Sequence, residues 1–200
     1  MNPLKSVSGS IITGVILALL LSWLLTPHAG AELGWAIWIH IMSGVMWIGL
    51  LYYFNVVQTP GLAAAAADQG GPGGAGVSKY IAPRALLWFR WAAVATWFTG
   101  VWYLGRAGTL PSAVTLGHGF RADEHYGMVI GIGGWLGTIM LFNVWALIWP
   151  NQKKILGIVA ATDQEKARAR VVATMASRTN FVLSIPMLLC MGGSNHFLPL

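Results

Sequence analysis

Cysteine is nearly missing from this chain: among 200 residues it occurs once, as Cys190. A single thiol excludes a disulfide framework, a CxxC metal or redox pair, and the CxxCH site that attaches haem covalently. Charge is scarce as well. Only 9% of the residues are Asp, Glu, Lys or Arg, against roughly 25% in a soluble domain. None of the six carboxylates lies inside an apolar span, so a proton path through the spans would lack a carboxylate relay. There is no Walker loop, no GxGxxG after a strand pattern and no GxSxG, which leaves nucleotide binding and serine hydrolysis without support.

What fills the space is apolar. Hydrophobic residues make up 56% of the chain and there are 11 Trp. A bilayer crossing needs about 20 apolar residues, and five such stretches are present. The fold expected is therefore an all-α integral membrane protein, a five-transmembrane-helix bundle forming a single domain over 1–200. Its helices are expected at about 9–26, 35–58, 84–104, 125–149 and 178–198. The first follows Lys5 and precedes Thr26-Pro27-His28-Ala29-Gly30-Ala31. This pattern also suits a secretory signal with an A-x-A-type cleavage site, and the reading taken is a retained helix.

Breakers divide the rest. Pro60 and Gly61 are expected to end the second helix near Gln58, with the Gly/Ala-rich segment 61–78 a loose loop. Residues 105–124 form a Gly/Pro-punctuated loop, and 150–177 a basic loop. Within the latter, Thr162 and Glu165 have the spacing of a capping box, which starts a helix that can run into the last span. Pro186 is expected to kink that span. Arg90 stands near one end of the third helix, where its side chain can snorkel. In the fourth helix Gly127/Gly131 and Gly133/Gly137 permit close approach by a neighbouring helix or by a porphyrin face, helix packing being the commoner use. Asn55, Asn143 and Asn180, at or within spans, suit interhelical hydrogen bonds.

Lysine and arginine set the orientation. With the N-terminus inside, the inner segments hold Lys5, Lys79, Arg84, Arg90, Lys153, Lys154, Lys166, Arg168, Arg170 and Arg178, and the outer segments only Arg106 and Arg121. By the positive-inside rule the expected topology is N-terminus inside, C-terminus outside. The net charge of +6 is thereby assigned to topology, and no nucleic-acid partner is implied.

That orientation brings all five histidines to the outer side. His40 lies about one and a half turns into the second helix, with Ser43 and Gly44 one turn deeper on its face and Trp47 a further turn on. His196, at the outer end of the fifth helix, has Gly192 and Gly193 in the same relation to it. An ionisable side chain in an apolar span is a functional-site candidate by default, though headgroup-level hydrogen bonding is the bland alternative. Two histidines, each above a small-residue gap, could bracket one haem. His125, with His118, His28, Asp123, Glu124 and Met128 nearby in sequence, is a candidate for a copper or zinc site, against the commoner reading of a solvated polar loop.

Three stretches carry a family resemblance. IHIMSGVMWIGLLYYF (39–54), WFRWAAVATWFTGVWYL (88–104), and FNVWALIWPNQKKILG (142–157) followed by TNFVLSIPMLLCMGGSNHF (179–197) together resemble the membrane-embedded N-terminal domain of the bacterial urate oxidase (urate hydroxylase) that is normally fused to a cytochrome c. The resemblance covers more than half the chain. It implies an integral-membrane redox protein of the bacterial inner membrane, with His40 and His196 as the matching histidines. This chain is shorter than that family, carries no cytochrome c domain, and has Leu87 and Ala92 where polar or acidic residues are expected.

Three functions are consistent with these residues. The first is a haem b type electron-transfer or accessory subunit, with His40 and His196 ligating iron, Ser43 or Asn195 tuning them, and a separate periplasmic cytochrome c or respiratory complex as partner. The second is a non-catalytic structural subunit of a larger membrane complex. The third is an outer-face copper or zinc site protein. Whether the chain is itself an enzyme is left open by the residues.

Overall fold

A computed structural model describes residues 2–25, 31–118, 125–194 and 198. The described residues are helical throughout their regular structure, with no strand among them. By internal contacts the chain divides into two compact units, Met1–Trp35 and Ala36–Leu200. The first contains α1 (Val7–Leu25), a 19-residue helix apolar enough to cross a bilayer, and the start of α2 (Ala31–Tyr52). The second unit, which holds the rest of α2, is described next.

Here the helices outrun the expected stops. α2 passes through a π-helical turn, π1 (Tyr53–Gln58), into α3 (Thr59–Ala67). The second helix therefore does not end at Gln58, and much of the segment expected as a loop over 61–78 is helical. A second π turn, π2 (Val77–Ile81), leads into α4 (Ala82–Arg106). The segment after it contains a short helix, α5 (Leu110–Val114). α6 (His125–Phe142) continues through a third π turn, π3 (Asn143–Ile148), into α7 (Trp149–Ile155). Thr162 then caps α8 (Asp163–Gly193) with the full capping box, Glu165 reciprocating. The helix expected to start at Thr162 does run on into the last span, and α7 makes the first residues of the basic segment 150–177 helical as well.

The three π turns share one cause. Each ends two residues before a proline: Pro60, Pro83 and Pro150. A proline has no N–H for the i−4 carbonyl, and its ring collides with that carbonyl in a regular α-turn. In each case the residue just before the proline bonds five residues back: Thr59 to the carbonyl of Phe54, Ala82 to that of Val77, Trp149 to that of Val144. Widening the turn separates ring and carbonyl without breaking the helix. In apolar surroundings this costs less than the exposed backbone of a true helix end. Pro186 lies inside α8 with helix assigned on both sides.

The core of this unit is built from Trp47, Leu51, Phe54, Leu86, Phe89, Ala93, Met140 and Val144, with Ala176 and Met187 of α8. Through it runs a polar seam on one face of α8. Asn55 Nδ2–H donates to Ser177 Oγ (2.9 Å) and to the Leu51 carbonyl (2.9 Å). Asn143 Nδ2–H donates to Asn180 Oδ1 (2.9 Å), and Asn180 Nδ2–H to the Met140 carbonyl (2.9 Å). Ser184 Oγ–H donates to the Phe181 carbonyl (2.7 Å), 3.4 Å from Tyr52 Oη. Positions 177, 180 and 184 share a face because they are spaced three and four apart. The interhelical role expected of the three asparagines is what the seam shows.

Four helical stretches are long and apolar enough to cross a bilayer: Val7–Leu25, Glu32–Ala67, His125–Ile155 and Asp163–Gly193. α4, the expected third of five spans, is not among them, since four Trp and three Arg lower its hydropathy. Arg90 does not snorkel: only 9% of it is exposed, and its guanidinium lies over the Trp149 ring at 3.5 Å.

Candidate functional site

His40 meets the chain on a different helix from the one its sequence neighbours suggested. Its Nδ1 lies 2.8 Å from the backbone carbonyl of Thr96 on α4. A carbonyl only accepts, so Nδ1 carries the proton, and in the neutral ring Nε2 keeps its lone pair. The imidazole reaches that carbonyl because residue 100 is glycine. A Cβ there would stand 2.9 Å from His40 Cε1 and 3.1 Å from Nδ1, closer than the ring allows. Thr96 turns its own hydroxyl back onto the Ala92 carbonyl (2.7 Å). Thr99 does the same toward Ala95 (2.6 Å), so both threonines are satisfied within α4.

The gap below His40 is filled by the chain itself. The missing Cβ of Gly44 faces the Thr96 methyl at 3.7 Å, so Gly44 brings α2 against α4. Ser43 is half-buried. Trp47 is 2% exposed, and its indole N–H finds no acceptor among the described residues. An orphaned donor this deep is costly, and it stands two turns from His40 on the same face.

The glycines of α6 divide in the same way. Gly127 lies against Ser112, and Gly131 against the backbone of Ala113, both on α5. Gly133 faces Cys190 Cβ and Met191 Cε of α8 at 3.0 and 3.1 Å. Helix packing, not an open face for a flat ligand, accounts for these three. Gly134 and Gly137 have no atom within 4 Å of where a Cβ would be. Indole hydrogen bonds lock α6 to its neighbours: Trp97 to Thr138 Oγ1 (2.9 Å) and Trp135 to the Val114 carbonyl (3.1 Å).

His196 and Asn195 lie outside the described residues, as do His28, Asp123 and Glu124. Gly192 is exposed with open space beside it, while Gly193 is buried and its carbonyl accepts from Leu198 N–H (3.0 Å). His125 is half-buried at the start of α6 and His118 is exposed. No group of three His, Cys, Asp or Glu suited to a metal stands together among the described residues.

Sequence reasoning singled out His40 but missed its two partners on α4. The signal was there: Thr96 and Gly100 are spaced four apart in an otherwise aromatic helix, the arrangement that lets a neighbouring helix close in. The half of the bundle from α6 onward supplies the evidence of kinship. No curated protein and no solved structure matches the chain. Residues 124–200, which carry α6 to α8 and the Asn143–Asn180 pair, match the family described as urate oxidase N-terminal.

Proposed function

We propose that this chain is a membrane redox subunit related to the urate oxidase membrane domain, binding haem b through His40. The single observation that carries the reading is the Nδ1–H hydrogen bond to the Thr96 carbonyl. This is the arrangement that fixes tautomer and ring orientation in ligating histidines and presents Nε2 to a metal. As a test of fit, His40 would hold the iron through Nε2, its Nδ1–H being engaged by the Thr96 carbonyl. Of the small residues proposed to flank the ring, Gly44 lies against the Thr96 methyl at 3.7 Å, Ser43 is half-buried, Gly193 buried and Gly192 open. His196 is proposed as the second ligand on the family resemblance alone. Bound haem would supply one-electron transfer. The chain would orient the imidazole through Thr96 and make room for it with Gly100.

The reading places the protein in the bacterial inner membrane as five spans, N-terminus inside, with electrons exchanged with a separate cytochrome c. The test is a reduced-minus-oxidised spectrum with pyridine haemochrome analysis on protein purified from a haem-replete host, beside His40→Ala and His196→Ala. A b-type spectrum lost or altered in both variants is expected. Absence of a Soret band in the wild type sinks the haem reading and leaves a structural subunit as the better account, the three α6 glycines that serve as helix contacts being its observation.

A further inference from the structure

Among the described residues the buried basic side chain, Arg90, is not at the histidine site. Arg90 of α4 is 9% exposed. Among the described residues its one hydrogen bond is Nη1–H to the Leu86 carbonyl, 3.2 Å away on its own helix, and its Nε–H has no partner. No described carboxylate pairs with it. A guanidinium stays protonated at any working pH, and burying it without an anion carries a desolvation penalty that one carbonyl bond does not offset. The stacking on Trp149 at 3.5 Å offsets part of this. Lys153, one turn along α7, brings a second cation to the same ring, its Nζ 5.9 Å from the centroid. Two cations sharing one aromatic ring repel unless something negative lies between or beside them.

A second orphan donor lies on π3. Trp145 of π3 packs edge-on against Trp91, the neighbour of Arg90, with ring centroids 5.5 Å apart. Its buried Nε1–H also lacks an acceptor. The Arg90–Trp149–Lys153 cluster thus holds two cations and, in Arg90 Nε–H, an unused buried donor. The surface of α4 beside Arg90 is apolar and open: Leu87, Trp88 and Trp91 are 46%, 57% and 56% exposed.

We infer that the Arg90–Trp149–Lys153 cluster is a binding site for a phosphate oxyanion, carried by an anionic phospholipid. Its headgroup answers the two cations, and its acyl chains cover the exposed face of Leu87, Trp88 and Trp91. Basic pockets between helices on the cytoplasmic side are where such headgroups bind, and the inner location expected for Lys153 and Lys154 from charge bias agrees. Arginine suits the role because its planar fork takes two phosphate oxygens while its face stays on an aromatic ring.

The test is thermal unfolding of delipidated, detergent-solubilised protein with added phosphatidylglycerol, phosphatidylcholine or inorganic phosphate, with bound lipid counted by native mass spectrometry. Phosphatidylglycerol is expected to raise the midpoint by several degrees and phosphatidylcholine by far less. The effect should vanish in Arg90→Gln and fall by half or more in Lys153→Gln, and it should persist in Arg168→Gln, which changes an exposed cation on α8. If Arg90→Gln does not fold, Lys153→Gln decides, because that side chain is only half-buried. Equal stabilisation by inorganic phosphate, lost in the same variants, keeps the oxyanion site and assigns it to a soluble ligand. Equal effects of the two lipids, or a Lys153→Gln variant that responds like Arg168→Gln, overturns the inference.

Discussion

At residue 100 the difference between a hydrogen and a methyl group decides whether His40 reaches the Thr96 carbonyl. Gly100→Ala would place Cβ at 2.9 Å from the ring, so the imidazole must swing out or α4 must shift. Overpacking of this kind costs about 1–3 kcal/mol, and the same variant should perturb any His40-dependent visible spectrum. Gly134→Ala is the control: with nothing within 4 Å of the new methyl, it is expected to be neutral or to stabilise by about 0.5–1 kcal/mol, the helix-propensity gain. Unfolding midpoints and spectra of the two variants, read together, separate a ligand-orienting glycine from a generic one. The Asn143–Asn180 pair is a second residue-scale case. Both amides are buried, Asn180 completely, yet hydrogen bonds in membranes are worth less than their isolation from water suggests. A double-mutant cycle with Asn143→Ala and Asn180→Ala should give a coupling of about 0.6 kcal/mol and not above about 1.7. A value near zero would mean that the seam is filled by shape alone.

At the scale of elements, the proline-linked π turns decide which faces the helices present beyond them. A π turn inserts one residue relative to the α register, which rotates all that follows by about 100°. Pro150→Ala removes the steric reason for π3, and a return to α geometry would carry Trp149 out from under Arg90. The expected result is a loss of about 0.5–2 kcal/mol of stability for the lost cation–π contact, read as a lower unfolding midpoint, and a larger effect than Pro186→Ala. At Pro186 the helix is already assigned as α, and an alanine restores an N–H at no cost in register. If Pro150→Ala is neutral, side-chain packing and not the proline holds the turn. Length follows from the same device. Because α2 continues through π1 into α3, the stretch Glu32–Ala67 has 36 residues and extends about 54 Å, well beyond a hydrocarbon core of about 30 Å. α8, at 31 residues, does the same. Asn55 and Ser177 tie the two long helices together.

For the whole molecule, the prediction to test is that α4 crosses the bilayer. Its 25 residues are long enough, but its hydropathy is lower than that of the other four candidates. The positive-inside count requires the crossing. Reporter fusions at three of the glycines with positive φ, Gly73, Gly108 and Gly157, distinguish the arrangements. With five spans and the N-terminus inside, fusions at 73 and 157 are fluorescent with a cytoplasmic reporter, and a fusion at 108 is active with a periplasmic phosphatase. The same side for 73 and 108 would remove α4 from the membrane and put His40 and its partner carbonyl in a different solvent.

Apolar composition alone determined that this is an all-helical chain with several stretches fit for a bilayer, because a backbone in lipid must satisfy its own hydrogen bonds and a helix does so within one segment. The same reasoning exposed His40 and the three asparagines, since a polar atom in an apolar run is conspicuous whatever the fold. The tertiary structure alone assigned their partners. Thr96 offers a backbone carbonyl, which every residue has, and Gly100 offers an absence, so neither carries a chemical label in the sequence. Arg90 looked like a side chain near a helix end until α7 brought Trp149 over it. Pro60 read as a stop because in water a helix can end there cheaply. In this bundle the neighbouring helices, and a π turn that frees the clashing carbonyl, make continuation the lower-energy choice.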